Sequence, residues 1–249
     1  SPFEYAAILT IDGVGEWSTA SIGKGSGKDI EMFATMNFPH SAGLLYSAFT
    51  YYLGFEVNKG EYKMMGLAPY GNPEGERTAK YVKLITENLV TIYEDGSIWL
   101  DQQYFNYATG LRMAKDNKWE QLFGLKKRDA KDEMLSEHCD MALAIQQVTE
   151  DIFLKMAKTA KEKTGCNNIC LAGGVALNSV ANGKLINSGL FGEVYIQPAA
   201  GDAGGSLGAA LAAYYLYYGK DRKVAESFDD MQGSYLGPEF SDLDIIKTA

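Results

Sequence analysis

The 249 residues carry 32 Asp plus Glu against 23 Lys plus Arg, a formal net charge of -9, and 46% of them are hydrophobic. That length and balance suit one large domain or two lobes with a substantial core, and the acidic charge, relieved by no basic stripe, excludes non-specific nucleic-acid binding. Three cysteines, Cys139, Cys166 and Cys170, form an odd set without a CxxC pair, which excludes a disulfide framework and a structural zinc site and points to reduced thiols in a cytoplasmic protein. Residues 5–11 (YAAILTI) are an apolar run of strand length, broken by Asp12-Gly13-Val14-Gly15. Residues 17–22 read as the returning strand of a hairpin, and residues 30–38 offer a third antiparallel strand.

After Pro39 the pattern turns helical. Residues 41–54 read as a buried helix, and residues 61–67 as a short one stopped by Ala68-Pro69-Tyr70-Gly71. Residues 78–89 read as a third helix, and two short strands are expected within 90–104 around Asp95-Gly96. From 141 to 163, Met141, Ile145, Val148, Ile152 and Met156 share one helical face, and Gly165 is placed to end the helix. The chain then alternates: strand 168–172, turn Gly173-Gly174, helix 175–187, strand 194–196, turn 198–201, helix 203–218. This βαβα order implies parallel strands, so a hairpin-first half running into it predicts an α/β fold with a mixed sheet. Residues 207–218 are too short and too rich in Ala and Tyr to span a bilayer, and no signal peptide is visible. Residues 225–249 hold turn formers without a strong period and read as a linker or the start of a further domain. Ser1-Pro2 directly ahead of a strand suggests a segment cut from a longer chain.

Three glycine-rich turns follow predicted strands: residues 12–15, 172–175 and 201–205. Glycine lets backbone approach a ligand closely, and the last two turns open helices whose free amides and dipole favour an anion. One such turn is more often only a turn, whereas three in one sheet favour a nucleotide site. The candidate contacts are Gly13, Gly15, Gly173, Gly174, Gly201 and Gly204. Asp12 and Asp202, at two strand ends, suit either a cation or a plain role, Asp12 bracing a turn and Asp202 capping a helix. Residues 23–29 (GKGSGKD) fail the Walker pattern, because Ile22 stands where Gly is needed and Asp29 where Ser or Thr is needed. They read as a solvated hairpin tip. His40 precedes a helix and could line a pocket, whereas His138 reads as a surface residue. Asp101 reads as a base or a turn residue. No HExxH or HxxxH pair and no marked triad is present.

Residues 9–19 (LTIDGVGEWST), 38–49 (FPHSAGLLYSAF), 60–71 (GEYKMMGLAPYG), 171–185 (LAGGVALNSVANGKL) and 197–213 (QPAAGDAGGSLGAALAA) together resemble the carbamoyltransferase family, which includes nodulation-factor and antibiotic O-carbamoyltransferases. The resemblance covers nearly the whole chain in order. It implies the second lobe of an actin-like (ASKHA) domain with a ribonuclease H-like sheet, spanning residues 1–224 with a helical insertion at about 41–165 and a linker at 225–249. It further implies an N-terminal lobe and a C-terminal carbamoyl-adenylate-forming domain outside this sequence. The implied reaction uses carbamoyl phosphate and ATP to make carbamoyl adenylate, then carbamoylates a hydroxyl-bearing acceptor. The family's metal, a divalent ion that is iron in relatives, is held by an HxxxH pair plus aspartates. Asp12 and Asp202 match the aspartates, and the HxxxH pair is absent here. Asn178 is expected to contact the nucleotide, and His40 or Asp101 to act as base. Two rivals share the fold expectation: a kinase or ATPase lobe that transfers phosphoryl, and a non-enzymatic nucleotide-dependent interaction module.

Overall fold

A computed structural model describes residues 1–224 and 232–248. β1 (Tyr5–Ile11) alternates buried Ala7, Leu9 and Ile11 with less covered neighbours. β2 (Ser18–Ser26) returns antiparallel beside it with Ile22 opposite Leu9, and β3 (Asp29–Asn37) returns again. Gly27 turns the second hairpin at φ +57°, a backbone region open to glycine. The turn is confined to Gly27-Lys28, and residues 23–26, expected as part of a solvated tip, instead continue β2 between β1 and β3.

The insertion is mostly helical. α1 (Ala42–Tyr52) begins at Ser41, and α2 (Glu61–Leu67) runs into a tighter turn at Ala68–Tyr70. α3 (Glu76–Leu84) starts two residues before the expected 78 and widens at its end into a π turn over Ile85–Leu89. β4 (Val90–Ile92) and β5 (Ile98–Leu100) pair around Asp95-Gly96 as expected. α4 (Asp116–Phe123) was not predicted. It delivers Trp119, fully buried, into a ring cluster with Phe49, Tyr52 and Phe123. α5 (Ser136–Thr164) carries Met141, Ile145, Val148, Ile152 and Met156 buried along one face, and Gly165 ends it at φ +64°. His138 is buried rather than at the surface, because its Nδ1 accepts from Leu135 N–H at 2.9 Å and folds the ring under the helix start.

β6 (Asn168–Ala172) is followed by a 3-10 turn at Gly174–Leu177, and only then by α6 (Ser179–Asn187). The single helix expected over 175–187 breaks at Asn178, whose φ -74° and ψ 92° are extended. β7 (Glu193–Ile196) and α7 (Gly204–Ala212), continued by a π turn at Ala213–Tyr217, complete the alternation. The sheet order is β3-β2-β1-β6-β7, antiparallel on the β2 side of β1 and parallel on the β6 side. This is the mixed α/β sheet of the expected actin-like lobe. Its β1 strand packs on α5. The opposite face, with Ala6, Ile8 and Cys170, lines a groove of about 350 Å³ beneath Leu211 and Ala212 of α7. Of the expected linker at 225–249, residues 225–231 and 249 lie outside the described residues. Residues 232–248 hold a helix, α8 (Asp242–Thr248), which the lack of period in the sequence did not suggest.

Candidate functional site

Parallel strands end at one edge, so β1, β6 and β7 bring the turns after Ile11, Ala172 and Ile196 to the same side of the sheet. With strands about 4.8 Å apart, the β1 and β7 ends stand roughly 10 Å from each other. Asp12 is the pivot of this edge. Its Oδ1 accepts from Gly13 N–H at 2.8 Å and from Gly174 N–H at 2.9 Å, joining turns 162 residues apart in sequence. Gly173 sits at φ +91° against the Ile11 backbone, where any Cβ would overlap it. Gly173 N–H donates to Ala200 O at 2.7 Å, which draws in the turn after β7. There Gly204 N–H closes onto Gly201 O and Gly205 N–H onto Asp202 O, both at 3.0 Å. The Asp202 side chain is exposed.

These bonds revise the expected phosphate cradle. The amides of Gly13 and Gly174 are taken by Asp12, that of Gly15 by Ser18 O, that of Gly173 by Ala200 O and that of Gly204 by Gly201 O. Five of the six candidate glycines therefore offer clearance for close approach and no free amide. Asn178 is likewise committed. Its Oδ1 caps α6 by accepting from Ala181 N–H at 3.0 Å, and its amide pairs with Gln146. Buried at 6% exposure, it has a packing role in place of the expected nucleotide contact.

Ser41, which sequence reading passed over, builds the other wall. Its Oγ lies within donating distance of Asp12 O at 2.9 Å and Gly13 O at 2.6 Å, and accepts from Leu44 N–H at 3.0 Å to cap α1. Two residues on, a Cβ at Gly43 would stand 2.5 Å from Asp12 O, so α1 can begin this close only with glycine there. The preceding residue, His40, is held by other contacts. The buried Thr19 hydroxyl donates to His40 O at 2.5 Å, and His40 Nδ1 accepts from Leu100 N–H at 3.0 Å with the ring against Trp99.

Burial holds the His40 pKa below its ordinary value, so the ring is neutral near pH 7. With Nδ1 accepting, the neutral ring carries its proton on Nε2 and presents a donor. This corrects the expectation that His40 is a base. Asp101 is no freer. Its Oδ1 and Oδ2 accept from Gln103 N–H at 3.0 Å and Gln103 Nε2 at 2.5 Å, so it braces a turn.

Asp12 and Asp202 lie on the same edge, as a shared cation would need, but they are only two ligands. Among the described residues no group of three His, Cys, Asp or Glu side chains converges. A hard cation takes six or so oxygen ligands, so the donor set in this chain fits half a site at most, and no step below is routed through a metal. Among the described residues no helix is long and apolar enough to cross a membrane.

Residues 1–211 match the family described as "Carbamoyltransferase N-terminus". This chain belongs to that family. It is 51% identical over 245 residues to an uncharacterized protein of Synechocystis, covering 98% of this chain and 38% of the relative. It is 36% identical to Nodulation protein NolNO of Sinorhizobium fredii over 85% of this chain and 28% of the relative. It is 35% identical to Nodulation protein NolO of Bradyrhizobium diazoefficiens over 85% of this chain and 35% of the relative. The matched stretch thus spans between 28% and 38% of the length of these three relatives.

Proposed function

We propose that this carbamoyltransferase-family chain is the second lobe of the actin-like domain of an O-carbamoyltransferase, with residues 1–224 as the lobe, 41–165 as its insertion and 225–249 leading toward a carbamoyl-adenylate-forming domain. The observation that supports the reading is the Asp12 bridge. One carboxylate ties the glycine turns after β1 and β6 into a single bare-backbone ledge at the carboxyl edge of the parallel strands, where sheets of this kind take nucleotides.

Carbamoyl phosphate would first lose its phosphoryl group to water as inorganic phosphate, leaving carbamate, whose oxygen then bonds the α-phosphorus of ATP and displaces pyrophosphate to give carbamoyl adenylate. The acceptor hydroxyl oxygen then bonds the carbamoyl carbon, the bond from that carbon to the AMP phosphate oxygen breaks, and AMP leaves with the electron pair. In this reading Gly13, Gly15, Gly173, Gly174, Gly201 and Gly204 allow the adenylate to approach the backbone. His40 Nε2–H donates to the oxygen on which negative charge gathers, the role of a neutral imidazole kept neutral by its surroundings. A divalent metal, with iron the expected ion, would take Asp12 and Asp202 as two ligands and the rest from outside residues 1–249. It would polarise the carbonyl or phosphate oxygens when bound. In this reading the proton of the acceptor hydroxyl passes to a base other than His40, and Asp101, which keeps a spare lone pair on each carboxylate oxygen, remains the candidate. The protein is expected to work in the cytoplasm on a hydroxyl-bearing small molecule or sugar.

The test supplies the intact protein with carbamoyl phosphate, ATP and an alcohol. Inorganic phosphate, pyrophosphate, AMP and a carbamate ester are the expected products. ADP with a phosphorylated alcohol would instead favour a kinase lobe, and nucleotide binding without turnover an interaction module.

A further inference from the structure

Beneath the Gly174 turn lies a knot of buried polar side chains that the proposed chemistry does not use. Gln146, on α5 and 2% exposed, is its hub. Its Oε1 accepts from Tyr46 Oη at 2.9 Å and from Asn178 Nδ2 at 3.0 Å. Its Nε2 donates to Asn178 Oδ1 at 3.1 Å and to Glu150 Oε1 at 2.8 Å. Glu150, itself buried, pairs with Lys184 of α6. The Gln146 amide thus uses both lone pairs and both protons, which is the condition for a polar group to persist at this depth.

The partners matter more than the count. Tyr46 belongs to α1, whose cap Ser41 holds the carbonyls of Asp12 and Gly13. Asn178 belongs to the connection whose Gly174 amide is held by the Asp12 carboxylate. Contacts therefore run in a closed circuit: Asp12 to Ser41, along α1 to Tyr46, across Gln146 to Asn178, back through the 3-10 turn to Gly174, and onto Asp12. Gln146 hydrogen-bonds to both arms at once, to Tyr46 of α1 and to Asn178 after the 3-10 turn.

We infer that Gln146 is a positioning residue, which sets the spacing between the Asp12 turn and the Gly174 turn and so the fit of the nucleotide between them. The inference rests on the proposed reading of Gly173-Gly174 as a nucleotide-side turn. A helix-face glutamine with only a packing duty would affect stability alone, whereas one that sets this spacing also affects nucleotide affinity.

The test measures ATP binding to the intact protein by calorimetry, at a temperature below the melting transition of every variant. Gln146→Leu keeps the volume and removes the circuit's bridge. It is expected to raise the ATP Kd about tenfold, the order of one lost buried polar contact. Ile85→Ala, a cavity in the insertion, is the stability control and should leave the Kd within about twofold. Exchanging polarity in Gln146→Glu with Glu150→Gln lets residue 150 donate to residue 146 across the same contact, and should recover most of the affinity that Gln146→Glu alone loses. That pair also serves if Gln146→Leu does not fold. An unchanged Kd in a folded position-146 variant, or an equal loss in Ile85→Ala, overturns the inference. Wild-type protein that binds no ATP overturns the nucleotide reading itself, and this inference with it.

Discussion

β1 and β7 are parallel strands of one sheet, and each ends in a turn bearing an aspartate, yet the two ends are built differently. At the β1 end, Asp12 is half-buried, spends Oδ1 on two amides, and has its own carbonyl held by Ser41 under the start of α1. At the β7 end, no residue of β7 or α7 is fully buried, and the Asp202 side chain is exposed. Strand position explains the contrast. β1 has a neighbour on each side and α5 above it, whereas β7 is an edge strand with α7 across the opposite face. Few buried apolar contacts mean low local stability. The fixed wall of the site therefore belongs to the β1–β6 end and the adjustable wall to the β7–α7 end.

The sharpest way to break this comparison is in β1 itself. Leu9, 1% exposed and facing the α5 side, should lose about 3 kcal/mol on replacement by Ala, the usual cost of a core cavity. Ile8, one residue earlier and on the groove face, should lose only about 1 kcal/mol for the same truncation. Chemical denaturation with an unchanged m-value is the measurement. Equal losses would mean that the groove face is as well packed as the core.

Asp12→Ala comes next. It strands the Gly13 and Gly174 amides, and partly buried donors without an acceptor should cost about 2 kcal/mol. Asp12→Asn keeps one carbonyl oxygen for them and should cost about half as much. If Asn is no better than Ala, the negative charge and not the hydrogen bonding holds the two turns together.

The layout of the sheet was legible because its signals are local and periodic. The run 5–11, the Asp95-Gly96 hairpin and the five apolar residues of α5 needed only neighbours within a turn or two. α4 was readable and missed: Trp119, Leu122 and Phe123 share a helical face, and Gly124 closes the helix at φ +67°. Ser41 was readable as a helix cap, but not as the clamp on Asp12 and Gly13, since that contact joins residues 28 and 29 apart in sequence. Gln146 stands among apolar neighbours, and its partner Asn178 is 32 residues away, so nothing near it marks its role. The glycine turns were placed correctly, but the bonds that already hold most of their amides were not legible, because sequence shows that an amide exists and not which carbonyl or carboxylate holds it.

A smaller effect follows from the two histidines, His40 ahead of α1 and His138 in the first turn of α5. Burial, reinforced by the Arg128 cation, lowers the His138 pKa from its ordinary 6.5, and burial lowers that of His40. A histidine depressed in the folded state takes up its proton more readily when unfolded. Stability is therefore full above about pH 6.5 and falls as pH drops below it. His138→Asn keeps an acceptor for Leu135 N–H and removes the titration, so its stability between pH 7 and pH 5 should fall less steeply than that of the wild type. An identical slope would assign the pH dependence elsewhere.

Asp202→Ala should change stability least, within about 0.5 kcal/mol. The side chain is exposed, and the contact that closes its turn, Gly205 N–H to Asp202 O, is backbone and survives the change. For that reason it separates chemistry from architecture better than Asp12 does, since Asp12→Ala disturbs both. In the intact protein, a stable Asp202→Ala variant that loses bound metal and carbamoyl transfer would show the β7–α7 end supplying a ligand without bearing structural load. The same variant with metal content and turnover intact would remove Asp202 from the site. The β1–β6 end, with Asp12 already engaged by two amides, would then have to draw its remaining partners from groups other than Asp202.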